Sequence, residues 1–253
     1  MKARSNRSDI FLITKGGAVD KGSTEKARLS PKELRYDMEQ SLRALDTDCV
    51  DLYFLHRDDE DVPVEEIMPT LGAFYKEGKV RAIGASNWKA SRMQAANAFA
   101  AREGLPQFAA SEIQWSLARS TPEKHDDLSL VCMNETEFAF YKKSNMPVFA
   151  FSSQAKGFFI RGAAGGIAAN NQKALARFSS EENCARLERV KTLAEKKGMS
   201  VAEVVLAYIT SHAFPAAALI GSKSVGQLEE SMAAADASLS PNELSFLTGG
   251  SSL

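Results

Sequence analysis

The stretch that decides the fold is CVDLYFLH at residues 49–56, together with VRAIGASN at residues 80–87 and the segment between them. Both quoted stretches begin with a mainly apolar run, which is typical of a parallel β-strand buried on both faces. Between them, residues 63–79 carry apolar side chains at helical spacing: Ile67, Leu71 and Phe74. A strand, a helix and a second strand in this order predict a parallel pair joined by a right-handed crossover.

The same alternation continues in both directions along the chain. The run IFLITK at residues 10–15 predicts the first strand, and further strands are predicted at 108–115, 147–151 and 216–220. Each is followed by a helical pattern, so about six strand–helix units predict an α/β fold with a mostly parallel sheet. Periodicity does not distinguish an open doubly wound sheet from part of a (β/α)8 barrel.

Helix starts are marked by capping signals. Ser-x-x-Glu boxes occur at 30–33, 200–203 and 240–243, and Asn134 precedes Glu137 by the same spacing. In such a box the serine side chain accepts from the third backbone N–H of the helix, and the glutamate returns the bond. The Gly- and Ala-rich residues 152–180 are predicted to form the only long loop, and long loops in compact domains are usually functional or disordered.

Composition excludes several classes of protein. The chain has 253 residues, with 31 Lys plus Arg against 32 Asp plus Glu, so its formal net charge is −1. This balance gives no general attraction to nucleic acid or to a membrane surface, and no apolar stretch approaches the roughly 20 residues that span a bilayer. Three isolated cysteines indicate a reducing compartment: Cys49, Cys132 and Cys184. We therefore expect a cytoplasmic protein with a single domain over residues 1–253 and no nucleic-acid or membrane partner.

Sequence motifs for metal or phosphate binding are absent. DDED at 58–61 lacks the glycine and the ligand spacing of a calcium loop, and GAAGG at 162–166 is not a Gly-x-Gly-x-x-Gly turn after a strand. No P-loop and no zinc-ligand spacing occurs. His125 and His212 are expected to be structural or exposed, and no metal site is expected.

Polar side chains end most of the predicted strands. In both the doubly wound sheet and the (β/α)8 barrel, the functional residues gather at the carboxyl ends of the strands. There a lysine can stabilise an alkoxide and a histidine can orient or protonate a carbonyl oxygen. The strand-end residues are Lys15, His56, Ser86, Asn87, Gln114, Ser152, Ser222 and Lys223.

Six separated motifs agree in order with one known family. FLITK at 11–15, VDLYFLH at 50–56 and GKVRAIGASN at 78–87 are followed by Gln114, by Phe151-Ser152, and by IGSK at 220–223 running into QLEES at 227–231. From Ile10 to about Ala235 the chain resembles the aldo-keto reductase superfamily. The resemblance implies a TIM (β/α)8-type barrel, here N-terminally truncated to about six βα units.

The resemblance also implies a reaction without metal. In that family a hydride passes from NADP(H) to the carbonyl carbon of an aldehyde or ketone, giving an alcohol. The lysine that matches Lys15 lowers the pKa of a tyrosine acid and pairs with an aspartate, and the histidine that matches His56 orients the carbonyl. Lys15 and His56 are therefore the expected catalytic residues, and the expected partner is a small carbonyl substrate.

The remaining matches imply a cofactor site. Ser86, Asn87 and Gln114 match the groups that hold the nicotinamide carboxamide, and Phe151 matches the aromatic residue that stacks on the ring. The other matched positions are Lys223 and Gln227 for the adenosine 2′-phosphate, Ser152 and Ser222 for phosphate contacts, Glu230 for the adenine, and Ser231 in place of the family's usual asparagine.

The family pattern has two further βα units ahead of the first strand, and these carry the tyrosine and the aspartate. The five tyrosines of this chain offer no obvious replacement for the acid. Tyr53 is out of phase with His56 along its strand and should face the outer helices. The other four lie in helical patterns: Tyr36, Tyr75, Tyr141 and Tyr208. We therefore expect little reductase activity from this chain. Its barrel edges would be exposed and favour self-association. The alternative function is a non-catalytic NADP(H)-binding or interaction module.

Overall fold

The computed structural model describes residues 6–19 and 27–250, which contain six strands and ten α-helices. The strands are β1 (Ile13–Gly16), β2 (Leu52–Leu55), β3 (Ile83–Ser86), β4 (Phe108–Gln114), β5 (Val148–Phe151) and β6 (Ala216–Ala218). The helices are α1 (Pro31–Leu45), α2 (Val64–Lys76), α3 (Ala90–Glu103), α4 (Glu135–Ser144), α5 (Phe158–Gly165), α6 (Gln172–Phe178), α7 (Glu181–Lys197), α8 (Val201–Thr210), α9 (Val225–Ala233) and α10 (Pro241–Thr248). The strands β1-β2-β3-β4 pair in chain order, and β5 pairs with β6; all these pairs are parallel and alternate with helices, which confirms the predicted α/β fold.

The chain divides into two compact units, Met1–Glu112 and Ile113–Leu253. The single-domain expectation stays a prediction. No helix in the described part of the chain is long and apolar enough to cross a membrane.

The first unit consists of parallel strands that alternate with α1, α2 and α3. Lys15 of β1 lies opposite Phe54 of β2. The first strand is shorter than predicted, because it begins at Ile13 and leaves Ile10 and Phe11 exposed at 36% and 65%. The physical reason is its position: among the described strands β1 pairs only with β2, so its lead-in has a neighbour on one side only.

The two faces of β2 have different partners. The ring of Tyr53 lies edge-on to Phe74 of α2, with 5.9 Å between ring centroids, which confirms that this tyrosine faces the helices. On the opposite face Phe54 packs over Gly84 of β3 so closely that a Cβ atom there would lie 2.5 Å from the Phe54 ring. Glycine at position 84 therefore allows the Phe54 ring to lie flat against the neighbouring strand.

The capping signals predict local structure correctly. The side chains of Ser30, Ser200 and Ser240 each accept from the third N–H of their helix, and the glutamates complete all three boxes. Asn134 accepts from the backbone N–H of Glu137 and starts α4. These contacts join residues three positions apart, so the sequence contains all the information they require.

The predicted long loop over residues 152–180 is wrong. This segment, in the second unit, contains α5 and α6, each with a short 3-10 turn nearby. Its Gly and Ala content conceals the helical periodicity of apolar residues. Phe158, Phe159 and Phe178 are fully buried and pack both helices against the core of the unit. The side chain of Asn171 caps α6 by accepting from the Ala174 N–H.

An aromatic cluster forms part of the hydrophobic core of the second unit. Trp115 stacks on Phe214, with 5.5 Å between centroids, and the His212 ring lies 5.1 Å from the Trp115 ring. Burial lowers the pKa of His212 to about 4, and its Nε2 has no hydrogen-bond partner among the described residues. His212 is therefore structural, as the sequence predicts.

We expect His212 to make the protein acid-sensitive. Because its folded pKa lies below the unfolded value of about 6.5, stability is full above that value and is lost as pH falls through about 4. The shift corresponds to up to about 3 kcal/mol. Urea unfolding at neutral and acidic pH should show a smaller loss in His212→Phe than in the parent protein. Equal losses in both proteins would contradict this assignment.

Candidate active site

The carboxyl ends of β1 and β4 are joined by an ion pair between Lys15 and Glu112. Lys15 Nζ donates to Glu112 Oε1, and Glu112 is only 4% exposed. In a flat sheet, β1 and β4 would lie about 14 Å apart, because neighbouring strands are separated by about 4.8 Å. The direct contact is consistent with a curved sheet in the first unit, in which side chains on the inner face converge as they do in the wall of a barrel.

Two polar residues at the end of β3 complete this cluster. Ser86 is fully buried, and its Oγ donates to Glu112 Oε1 at 3.5 Å. Asn87 Nδ2 donates to Ser86 Oγ at 3.1 Å, and the Asn87 backbone N–H donates to the Glu112 carbonyl at 2.9 Å. Asn87 has a φ of 58°, a conformation that asparagine adopts more readily than most residues.

His56 lies on the same face of the sheet as this cluster. Its backbone N–H donates to the Gly16 carbonyl at 2.7 Å, directly after β2. Because Lys15 lies opposite Phe54 and side chains alternate, Lys15 and His56 project to the same side. The strands of the first unit thus bring a cation, an imidazole, a buried carboxylate and two small polar groups to one edge.

Glu112 is the residue that the sequence analysis missed. The signal is a single acid in the mainly apolar strand FAASEIQ at 108–114, where burial requires a charged partner. The position at the strand end indicates Gln114 instead. Its backbone pairs with Val131 and Met133, and its side chain is 2% exposed, with no described partner for Nε2.

The other predicted cofactor residues lie in the second unit. Phe151 ends β5 half-buried, its carbonyl accepts from the Trp115 N–H at 3.3 Å, and Ser152 follows with a φ of 53°. Ser231 of α9 is buried, and its Oγ accepts from Gln154 Nε2 at 3.4 Å. The structure therefore already provides Ser231 with a protein partner.

The loop after β6 is open to solvent. Residues 220–230 are all exposed, including Ser222, Lys223 and Glu230. The Lys223 backbone N–H donates to Gln227 Oε1 at 2.8 Å, while the Gln227 N–H donates to the capping side chain of Ser224 at 3.3 Å. These bonds fix the turn and leave the Lys223 ammonium without an ion pair to any described carboxylate.

Lys223 belongs to a basic cluster. Burial first, and then the positive charges of Arg177, Lys173 and Lys223, lower the pKa of Lys156. Lys156 lies in the turn after β5, and Lys173 and Arg177 lie on α6. Within the described residues none of these four cations forms an ion pair, so the cluster is suited to a polyanion.

No group of three metal-ligating side chains occurs among the described residues.

Comparison with known proteins identifies the family. The model of the aldo/keto reductase family matches residues 1–249. The chain belongs to the aldo/keto reductase family. This aldo/keto reductase is 28% identical over 244 residues to a probable aldo-keto reductase 1 from Glycine max. The matched region covers 94% of this chain and 66% of the relative. The chain thus spans just under two thirds of that relative.

A solved structure shows the same fold. It is the crystal structure of a thermostable aldo-keto reductase, Tm1743, with the inhibitor epalrestat. The match has a TM-score of 0.70 and 20% identity, and it covers 98% of this chain and 74% of that one. At this identity the likeness concerns the fold, and it agrees with a curved sheet in the first unit.

Proposed function

We propose that this aldo/keto reductase family member reduces aldehyde or ketone carbonyls to alcohols with NADP(H), at a low rate, with His56 in place of the tyrosine acid of the family pattern. The observation that carries the proposal is the Lys15–Glu112 pair beside Ser86 at the carboxyl ends of the strands. In parallel α/β folds this edge is where substrates bind. The pair supplies a cation that is held in place and is suited to an oxygen on which negative charge develops.

In the proposed reaction a carbonyl compound, a hydride and a proton give an alcohol. The cofactor supplies the hydride. Lys15 donates to the carbonyl oxygen and stabilises the alkoxide, while His56 orients that oxygen and delivers the proton. Glu112 holds the Lys15 ammonium at the strand end and is a positioning residue.

The family resemblance supports a phosphorylated dinucleotide as the cofactor. At the end of β3, Ser86 and Asn87 offer the small polar groups that an amide requires. In the second unit, the basic cluster and the exposed loop after β6 offer positive charge for phosphates. We assign Lys223 with Gln227 to the 2′-phosphate, Ser152 and Ser222 to phosphate contacts, Phe151 to the ring, and Glu230 with Ser231 to the adenine.

A cytoplasmic location is part of the proposal. Cys49, Cys132 and Cys184 are free thiols, and free thiols persist in a reducing compartment. The expected partner is a small carbonyl compound, with neither nucleic acid nor membrane required.

A second candidate is a non-catalytic NADP(H)-binding module. It is favoured by the position of the tyrosines in the first unit. Tyr53 contacts Phe74 on the helix side of the sheet, and Tyr36 and Tyr75 are exposed on α1 and α2. None of these three supplies a phenolic acid beside Lys15.

One pair of measurements decides between the candidates. NADPH is titrated by the quenching of tryptophan fluorescence, and turnover is followed by the loss of NADPH absorbance with 4-nitrobenzaldehyde. Binding with turnover supports the reductase, and binding without turnover supports the module. Absence of NADPH binding would refute both.

A further inference from the structure

A cavity of about 580 Å³ lies wholly within the second unit, and we name it the α4–α7 cavity. Its wall includes Gln114, Trp115, Arg119, Phe138, Arg186 and Tyr208. The Lys15 cluster contributes no residue to this wall. The volume lies within the range of roughly 300–1,000 Å³ that is usual for small-molecule sites.

One side of the α4–α7 cavity is aromatic. Trp115 meets Phe138 and Tyr208 edge-on, with 6.3 and 6.2 Å between ring centroids. Trp115 is also stacked on Phe214 behind it, so its position is fixed by packing on several sides. A planar apolar group would find a rigid, complementary surface here.

The charges of the wall favour an anion. The carboxylate of Glu135 pairs with Arg119, and that of Glu182 pairs with Arg186 at 2.7 Å. Lys142, also in the wall, forms no ion pair with any described carboxylate, so the wall carries one surplus positive charge. A ligand with a single negative charge would balance it.

Two buried donors in the wall have no acceptor among the described residues. They are Gln114 Nε2 and Arg186 Nε, on side chains that are 2% and 4% exposed. The other nitrogens of Arg186 are occupied, because Nη1 donates to the Leu117 carbonyl and Nη2 to Glu182. Buried donors are normally satisfied, so an oxygen acceptor is the missing component.

We infer that the α4–α7 cavity binds a small aromatic monocarboxylate, with its ring against Trp115 and Phe138 and its oxygens toward Gln114 and Arg186. A carboxylate matches the donors because it has two acceptor oxygens and no N–H or O–H group to bury. An aromatic ring matches the wall in shape and polarity. The inference assigns Gln114 to this cavity rather than to a cofactor, and it does not depend on the proposed reductase activity.

The test uses benzoate and the indole N–H signal of Trp115 in an NMR titration of the full chain. The protein has two tryptophans, so a Trp88→Phe variant assigns the Trp115 signal. We expect a saturable shift with a Kd below about 1 mM. The neutral probe benzamide, which has the same ring, should bind at least about tenfold more weakly, because it lacks the charge.

Variants locate the carboxylate. Gln114→Leu removes one donor at similar size and should weaken benzoate binding by about 5- to 20-fold. Lys142→Met, on the exposed side of α4, should weaken it by about two- to threefold, and it serves if Gln114→Leu does not fold. Lys191→Met is the control, because Lys191 lies on α7 outside the cavity and pairs with Glu188; binding should be unchanged.

Three results would overturn the inference. The first is the absence of a saturable shift up to about 10 mM benzoate, a concentration at which a specific site should be filled. The second is equal binding of benzoate and benzamide. The third is unchanged binding in both Gln114→Leu and Lys142→Met. None of these measurements involves NADPH or turnover, so their outcome is separate from that of the reductase proposal.

Discussion

Replacement of Lys15 by methionine is expected to reduce carbonyl turnover by about 10²- to 10⁴-fold, the usual contribution of one positioned acid–base group. Methionine preserves the length of the side chain and removes its charge, so the alkoxide loses its stabilising cation. NADPH affinity should change by less than about threefold, because Lys15 pairs with Glu112 and has no assigned cofactor contact. Steady-state kinetics and fluorescence titration measure the two effects separately.

Two further variants control this experiment. Lys79→Met removes a cation that pairs with Glu77 at 2.9 Å, away from the strand ends, and should leave turnover unchanged. Glu112→Gln keeps the shape of the carboxylate but removes its charge; we expect about 10- to 100-fold lower turnover, with partial recovery in Glu112→Asp. Normal turnover in Lys15→Met would remove the catalytic role of the pair.

Replacement of Lys223 by glutamate is expected to weaken NADPH binding by about 10- to 100-fold. The variant puts a negative charge beside the proposed 2′-phosphate site, in a cluster with Lys156, Lys173 and Arg177. NADH lacks that phosphate, so its affinity should change by less than about threefold. Fluorescence titration with both nucleotides gives the ratio directly.

The matched control is Lys191→Glu, which reverses an exposed charge on α7 and should leave both affinities unchanged. The effect of Lys223→Glu should also shrink at high salt, because the interaction is exposed and therefore screened. Equal weakening of NADPH and NADH would move the 2′-phosphate away from Lys223. It would leave the role of Lys15 untouched.

The secondary structure and the helix caps could be predicted from the sequence, because they depend on interactions between residues that are close together in the chain. The strand–helix alternation, the three serine capping boxes and the Asn134 cap depend on residues a few positions apart, and all of them are present. The outward direction of Tyr53 follows from strand alternation alone. For residues 152–180 the sequence predicts a loop wrongly, because Gly and Ala conceal the two helices that buried phenylalanines hold in place.

The sequence by itself determined the α/β class, the strands that carry Lys15 and His56, and the family resemblance that the match over residues 1–249 confirms. Only the tertiary structure decided that Glu112 is the partner of Lys15. The two residues lie 97 positions apart, and their side chains meet across the strands that separate β1 from β4, where a curved sheet brings inner-face side chains together. No periodicity encodes that curvature, since it arises from the twist and packing of several strands together.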